Sequence, residues 1–153
     1  MAKTFKVEIV TPEATALSAE ASALQVPAWE GYLGVLAGHA PLLTVLRPGV
    51  LTVRDADGKP TFFAIRGGFM EVTPARTIVL ADAIERAQEI DAEAARKALD
   101  AAVHAPQPAM PPASTGNAEA RQQARDVMVE ERELAVQWAE ARVHAVERSR
   151  EAA

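Results

Sequence analysis

The spacing of apolar residues changes near residue 86, and this change constrains the fold more than any other feature of the sequence. Before it, apolar and polar residues alternate, as at Phe5, Val7 and Ile9, which is the period of a strand with one buried face. After it, alanines recur at helical spacing and aromatic residues almost vanish. The chain is therefore predicted to hold a β domain over residues 1–86 and a helical domain over residues 87–153.

Turn residues divide the β domain into short apolar runs at intervals of about 8–12 residues, a pattern typical of sandwiches and barrels. Two hairpins are predicted, with their turns at 55–59 and 73–76. Gly58 can take the positive φ that the first of these turns needs. Gly67 and Gly68 lie between two apolar runs, where a strand bend is a better interpretation than a ligand-binding loop.

The helical domain is predicted to be a hairpin of two helices. Asp91 can cap a helix from Ala92 to Val103, and Asn117 can cap a second helix that runs to about Arg148. Residues 105–117 lie between them and hold four of the ten prolines and no charge, as expected of a linker.

The surface through which the two helices would pack is mostly alanine. Its residues at helical spacing are Ala95, Leu99, Ala102 and Val103 on the first helix and Ala124, Val127, Leu134, Trp138, Ala141 and Ala145 on the second. An alanine buries one methyl group, whereas a fully buried leucine contributes about 1.5–3 kcal/mol. We therefore expect a hairpin that separates easily.

Several classes of function are excluded by composition. The chain has no cysteine, its three histidines are far apart, and its net charge is −5. Thiol catalysis and metal sites are therefore not expected, and neither is binding to nucleic acid, which needs clustered cations. No phosphate-binding loop or nucleophile elbow occurs, and the most apolar stretch, 34–53, is interrupted by charge and proline. The first residues resemble no signal or transit peptide, so we expect a cytoplasmic binding protein with no catalytic site and no membrane insertion.

The segment from Trp29 to Thr44 is the part of the sequence that a purely structural role explains least well. It places Trp29 and Tyr32 among glycines, in a stretch too irregular for simple alternation. These two side chains either close the end of the sandwich core or lie exposed and contact a partner, since Trp and Tyr are enriched at interfaces. Composition slightly favours the first interpretation and leaves both open.

The same segment carries a family resemblance. Glu30-Gly-x-Leu-Gly-Val-Leu-x-Gly-His-Ala-Pro-Leu-Leu-Thr44 resembles the signature of the epsilon subunit of bacterial F-type ATP synthase. Leu46-x-Pro-Gly-Val50, Gly67-Gly-Phe-Met-Glu-Val72 and Val79-Leu-Ala-Asp82 extend the resemblance, which runs without a gap from about Phe5 to Ala102. It implies an α+β chain, in which a ten-stranded β-sandwich precedes a two-helix hairpin.

The resemblance implies a non-catalytic rotor subunit that couples proton translocation to ATP synthesis. Its sandwich would contact the gamma subunit of the central stalk and the ring of c subunits, on the cytoplasmic face of the bacterial inner membrane. One group of interface residues matches the part that meets the c-ring, and a second group matches the side facing gamma. The first group is Trp29, Glu30, Gly31 and Tyr32, and the second is His39 and Thr44.

The helical domain matches the family less closely. In some relatives these helices enter the catalytic head, contact the alpha and beta subunits and restrain ATP hydrolysis. Here residues 117–151 carry six arginines and eight acidic residues, which disfavours contact with an acidic partner loop. Restraint of hydrolysis is therefore expected to be weak.

Some relatives also bind ATP through an Ile-Asp-x-x-Arg-Ala motif. In this chain Ala94 stands at the arginine position and Arg96 comes two residues late, on the opposite face of the helix. We therefore expect no bound ATP and no other cofactor, with Asp91, Arg121 and Arg125 as the candidate contacts if ATP does bind. Two further interpretations stay open, a stand-alone β-sandwich adaptor and a nucleotide-sensing module.

Overall fold

The computed structural model describes residues 3–153. Within them the chain forms eight strands followed by two α-helices. The strands are β1 (Phe5–Val10), β2 (Thr15–Ala21), β3 (Ala23–Ala28), β4 (Gly31–Leu36), β5 (Leu42–Leu46), β6 (Gly49–Arg54), β7 (Pro60–Val72) and β8 (Thr77–Arg86). The helices are α1 (Ala92–His104) and α2 (Ala118–Glu151). The predicted α+β fold is confirmed, as are the two hairpins, β6–β7 and β7–β8.

The strands form the two layers of a sandwich. One layer, here called the open sheet, contains β2, β1, the first part of β8, the last part of β7, and β5. The other, here called the covered sheet, contains the last part of β8, the first part of β7, β6, β3 and β4. All the strand pairs are antiparallel except β1 with β8.

The number of strands is a correction, because ten were expected and the described residues form eight. The long strands β7 and β8 bend together and pass from the covered sheet to the open sheet. Each therefore supplies a segment to both layers. Sequence patterning cannot distinguish a strand that continues through a bend from two strands joined by a turn.

The bend lies at Gly67 and Gly68, as predicted from the sequence, and the register of β7 with β8 shifts there. Both glycines have a positive φ. A Cβ atom built on Gly68 would lie 1.9 Å from the carbonyl oxygen of Leu80, so no side chain fits at this position. Inward-facing residues change phase across the bend, because Ile65 before it and Met70 after it both enter the core.

The core lies between the two layers and is aliphatic apart from Phe63. Side chains from both sheets are fully buried in it, including Val7, Leu24, Leu51 and Met70. Residues that alternate with these face outward. The sandwich therefore has two outer faces, one on each sheet.

Both helices begin where the sequence predicts. The carboxylate of Asp91 accepts a hydrogen bond from the backbone N–H of Ala94 at 2.9 Å, and Asn117 caps α2 in the same way. At 1.5 Å per residue α2 is about 51 Å long, so it extends well beyond α1. The linker between them has no regular structure apart from one short turn at Ala113–Thr115.

The predicted alanine seam between the helices is only part of the packing of α2, because Ala95 of α1 does share a buried cluster with α2, but so does the covered sheet. The C-terminal half of α2 lies on the outer face of the covered sheet, where Ala141, Ala145 and Val146 form one buried cluster with Phe62 and Ala64. Val103, Val127 and Leu134, which were expected in the seam, are exposed. The hydrophobic pattern of α2 identified a face, but the partner of that face is mainly the sandwich.

Candidate functional site

The turn between β3 and β4 and the first two residues of β4 are here called the hairpin tip, which comprises Trp29, Glu30, Gly31 and Tyr32. Gly31 has a φ of 132°, and this conformation lets the chain reverse direction between the paired residues Ala28 and Gly31. Trp29 is 67% exposed and Tyr32 is 59% exposed. Neither side chain closes the core, so the alternative in which both are free to contact a partner fits the structure.

Two contacts hold the hairpin tip against the β5–β6 turn, a name used here for residues 47–50, which include the start of β6. The backbone N–H of Val50 donates a hydrogen bond to the phenol oxygen of Tyr32 at 3.2 Å. The Arg47 guanidinium lies 6.0 Å from the centre of the Trp29 ring and donates a hydrogen bond to the carbonyl oxygen of Trp29 at 3.4 Å. The two aromatic rings are therefore exposed but have defined positions.

An open groove of about 760 Å³ separates the hairpin tip from β5. Trp29, Tyr32, Leu43 and Val45 line it together with Thr44. Thr44 is partly buried, and it alternates with Leu43 and Val45, whose side chains are exposed. The groove is apolar with a few polar groups at its edge, a composition suited to binding another protein.

His39 lies at the other end of the sandwich from the hairpin tip. It is in the β4–β5 connection, beside a small cavity lined by Val72, Thr73 and Arg76. Its Nδ1 atom is 2.8 Å from the carbonyl oxygen of Ala40. The length of β4, about 17 Å at the usual rise per residue, separates His39 from Tyr32. Five of the six predicted interface residues therefore line one groove, and His39 lies apart from them.

Sequence reasoning missed an apolar row on the open sheet. Val45, Phe69 and Leu80 are neighbours in register on three adjacent strands, β5, β7 and β8, and all three are half-exposed. Val10 of β1 pairs with Leu80 and extends the row to a fourth strand. The signal in the sequence is the phase change at Gly68, which turns Phe69 outward, and it can be interpreted only once the bend is known.

The candidate ATP contacts lie at opposite ends of the helical hairpin. Asp91 caps the start of α1, and its carboxylate is used in that cap. Arg125 is near the other end, where its Nε atom donates a hydrogen bond to the carbonyl oxygen of Pro108 in the linker at 3.3 Å. Arg121 is one turn further along the same end of α2. The length of α1, about 18 Å, therefore separates Asp91 from both arginines.

Two other kinds of site are absent from residues 3–153. No group of three or more histidine, aspartate or glutamate side chains there could hold a metal ion. No helix in the same part of the chain is both long enough and apolar enough to cross a membrane.

Comparison with known proteins places the chain in a family. Residues 4–87 match the family described as ATP synthase, Delta/Epsilon chain, beta-sandwich domain. The ATP synthase epsilon chain of Brucella anthropi is 44% identical over 107 residues, which cover 65% of this chain and 79% of the relative. That of Moorella thermoacetica is 47% identical over 98 residues, which cover 64% of this chain and 73% of the relative.

Two solved structures have a similar fold. A chain of the Euglena gracilis mitochondrial ATP synthase matches with a TM-score of 0.67 and 25% identity, covering 90% of this chain and 78% of its own length. A chain of the Tetrahymena thermophila central stalk and c-ring matches with a TM-score of 0.54 and 17% identity, covering 88% of this chain and 97% of its own length. At that identity the second match shows the fold alone.

The sandwich, the appended helices and these similarities define a non-catalytic subunit of a larger assembly. The chain belongs to the ATP synthase delta/epsilon family. It is a rotor-stalk subunit of ATP synthase and a peripheral part of the catalytic sector of that complex.

Proposed function

We propose that the open sheet is the surface through which this chain binds the gamma subunit of the central stalk. The observation that carries the proposal is the row formed by Val45, Phe69 and Leu80, which leaves apolar side chains half-exposed on three adjoining strands. A flat apolar surface of this kind is typical of a stable protein interface. Leu43, which is more exposed still, joins the row to the groove beside the hairpin tip.

The hairpin tip is proposed to face the c-ring. Trp29 and Tyr32 are exposed there, and each is held by a contact to the β5–β6 turn. Rings held in place in advance lose little conformational freedom on binding, which favours affinity. Glu30 and Gly31 complete the tip. Thr44 lines the groove, and His39 lies at the other end of the sandwich. With the tip on the c-ring, the chain is proposed to lie at the cytoplasmic face of the bacterial inner membrane.

A binding measurement tests the gamma interface. Phe69→Ser and Leu80→Ser together should weaken binding of the isolated chain to purified gamma by at least about 30-fold, because the centre of an apolar interface carries most of its binding energy. Val103→Ser is the matched control, since Val103 is similarly exposed but lies on α1. Unchanged affinity of the double variant would contradict the proposal, and failure of the parent chain to bind gamma would favour a stand-alone adaptor.

Cross-linking tests the contact with the c-ring. The chain has no cysteine, so Glu30→Cys carries a single thiol to which a photoreactive group can be attached. We expect cross-links from position 30 to c subunits in assembled membranes. His39→Cys is the control, because it lies at the other end of β4. Cross-links to the c subunits from position 39 and none from position 30 would reverse the proposed orientation.

The helical domain is proposed to restrain ATP hydrolysis weakly and to bind no ATP. Its second helix has an excess of acidic residues, and Asp91 is far from Arg121 and Arg125. A chain ending after His104 should therefore raise ATP hydrolysis in membranes by less than about threefold, equivalent to about 0.7 kcal/mol. A tenfold rise at equal complex content would contradict weak restraint, and micromolar binding of ATP in a calorimetric titration would contradict the second proposal.

A further inference from the structure

Contacts to the rest of the molecule are distributed unequally along α2. Every buried residue of this helix, all of which the structure describes, lies between Ala139 and Val146. Four of them, Ala141, Val143, Ala145 and Val146, share one cluster with Val50, Phe62 and Ala64 of the covered sheet and with Ala95 of α1. The C-terminal half of α2 is therefore the half that is bound to the sandwich.

The N-terminal half of α2 is separated from the sandwich by a cleft of about 830 Å³. Glu133 and Leu134 line this cleft on the helix side, and Arg66 lines it on the sandwich side. Contacts of this half are made instead to the end of α1 and the linker, where Arg132 donates hydrogen bonds to the carbonyl oxygens of Val103 and Ala105, both at 3.0 Å. This half can therefore move with the linker without disturbing the sheet.

One ion pair joins the two domains among the residues that the structure describes. The Nε atom of Arg142 lies 2.9 Å from a carboxylate oxygen of Glu85, near the end of β8. The side chains of Arg142 and Glu85 are 23% and 39% exposed, so water reaches the pair only partly. A charge-assisted hydrogen bond of this length is directional and depends on the position of both partners.

The apolar contacts around this ion pair depend less on the exact position of the helix. Ala141 and Ala145 supply one methyl group each, and Val143 and Val146 add larger apolar surfaces to the same cluster, but apolar contacts are not directional. Arg148 adds a second cationic contact, with its guanidinium 5.6 Å from the centre of the Phe62 ring. The position of α2 on the sheet therefore depends on cationic contacts as well as on apolar area.

We infer that Glu85 and Arg142 form a clasp that sets how often the C-terminal half of α2 leaves the covered sheet. Arg142 acts as a positioning residue in this role. The clasp itself is independent of the function proposed above, and only its consequence for hydrolysis rests on that function.

Thiol labelling of the isolated chain tests the clasp. The chain has no cysteine, and Ala145 is fully buried in the cluster formed by α2, α1 and the covered sheet, so Ala145→Cys reacts only when α2 separates from that cluster. We expect Arg142→Gln to raise its labelling rate about tenfold, which corresponds to about 1.4 kcal/mol. The charge exchange Glu85→Arg with Arg142→Glu should return the rate to within about threefold of the parent.

Two controls separate release of the helix from loss of the fold. Ala21→Cys places a thiol in the sandwich core, and its labelling should change by less than about twofold in the Arg142→Gln background, because lifting of α2 leaves that core closed. Lys97→Gln breaks a fully solvated pair with Glu93 on α1 and should leave the labelling of Cys at position 145 unchanged.

The labelling rates at positions 21 and 145 decide whether the clasp exists. Unchanged labelling at position 145 in Arg142→Gln, or equal acceleration at positions 21 and 145, would overturn the clasp. Acceleration at position 145 alone, reversed by the charge exchange, would support it. If that pattern appears while ATP hydrolysis by the assembled complex stays unchanged in Arg142→Gln, the clasp stands and the proposed restraint of hydrolysis fails.

Discussion

The two outer faces of the sandwich are built from similar residues, but the rest of the chain covers only one of them. The covered sheet presents Val50 and Phe62, and α2 buries both. The open sheet presents Val45, Phe69 and Leu80, and no described element covers them. An apolar face on a strand thus shows only that something packs there. Whether the partner is this chain or another protein depends on where its own helices can reach.

A single strand supplies both faces. Phe62 and Phe69 belong to β7, on either side of the bend at Gly67 and Gly68. Phe62 is 7% exposed and Phe69 is 50% exposed, although both point away from the core. The two phenylalanines are therefore an internal comparison between a surface covered within the chain and a surface proposed to be covered by a partner.

Gly68→Ala should have the largest effect, because it removes the bend that produces both faces. The added Cβ would lie 1.9 Å from the carbonyl oxygen of Leu80, at a backbone φ of 137°. We expect a loss of about 4 kcal/mol in the free energy of unfolding, measured by chemical denaturation. Gly34→Ala is the control, because a Cβ atom built on Gly34 has no other atom within 4 Å. This substitution should lower the free energy of unfolding far less. Similar losses in the two variants would contradict the importance of the bend.

Phe62→Ala should have the next largest effect, because it empties space between the covered sheet and α2. Removal of a buried phenylalanine costs about 3 kcal/mol or more. Urea unfolding of the isolated chain measures the change. A chain ending after His104 supplies the control, since Phe62 is no longer covered there and the same substitution should cost less than about 1 kcal/mol. Equal losses in the two chains would show that α2 does not cover this face.

Tyr32→Phe should have a smaller effect on stability. The phenol oxygen accepts the backbone N–H of Val50, so its removal leaves one donor of the covered sheet without that partner. A loss of about 1 kcal/mol is expected, seen as a lower melting temperature. If Tyr32 packed in the core instead, Tyr32→Ala would cost about 3–5 kcal/mol, which the same measurement would detect.

Phe69→Ala should have the smallest effect on the isolated chain, less than about 1 kcal/mol, because half of this side chain is already in contact with water. The losses in free energy of unfolding of Phe69→Ala and Phe62→Ala, measured in the same urea titrations, compare the two faces most directly. A loss at Phe69 as large as that at Phe62 would mean that the open sheet is covered within the chain in solution.

Much of the local structure was predictable from the sequence because it depends on residues close together in the chain. Asp91 and Asn117 cap their helices through a backbone N–H three residues away. Gly58 and the Gly67-Gly68 pair mark a turn and a bend that few other residues could adopt.

Other features depended on contacts between residues far apart in the chain. For Trp29 and Tyr32 the sequence slightly favoured burial and left exposure open, and the contacts of the distant β5–β6 turn decided for exposure. The exposed row at Val45, Phe69 and Leu80 was missed because one extra residue at a bend reverses which side chains face outward.

The sequence by itself determined the change from strands to helices, the helix caps, the bend and the family to which the chain belongs. Tertiary structure alone decided that eight strands serve two layers, that α2 packs on the covered sheet, and that Glu85 meets Arg142 across 57 positions of the chain. The physical reason is that caps and turns are satisfied within a few residues. An amphipathic face specifies only that it must be buried, and the folded chain then selects the surface that buries it.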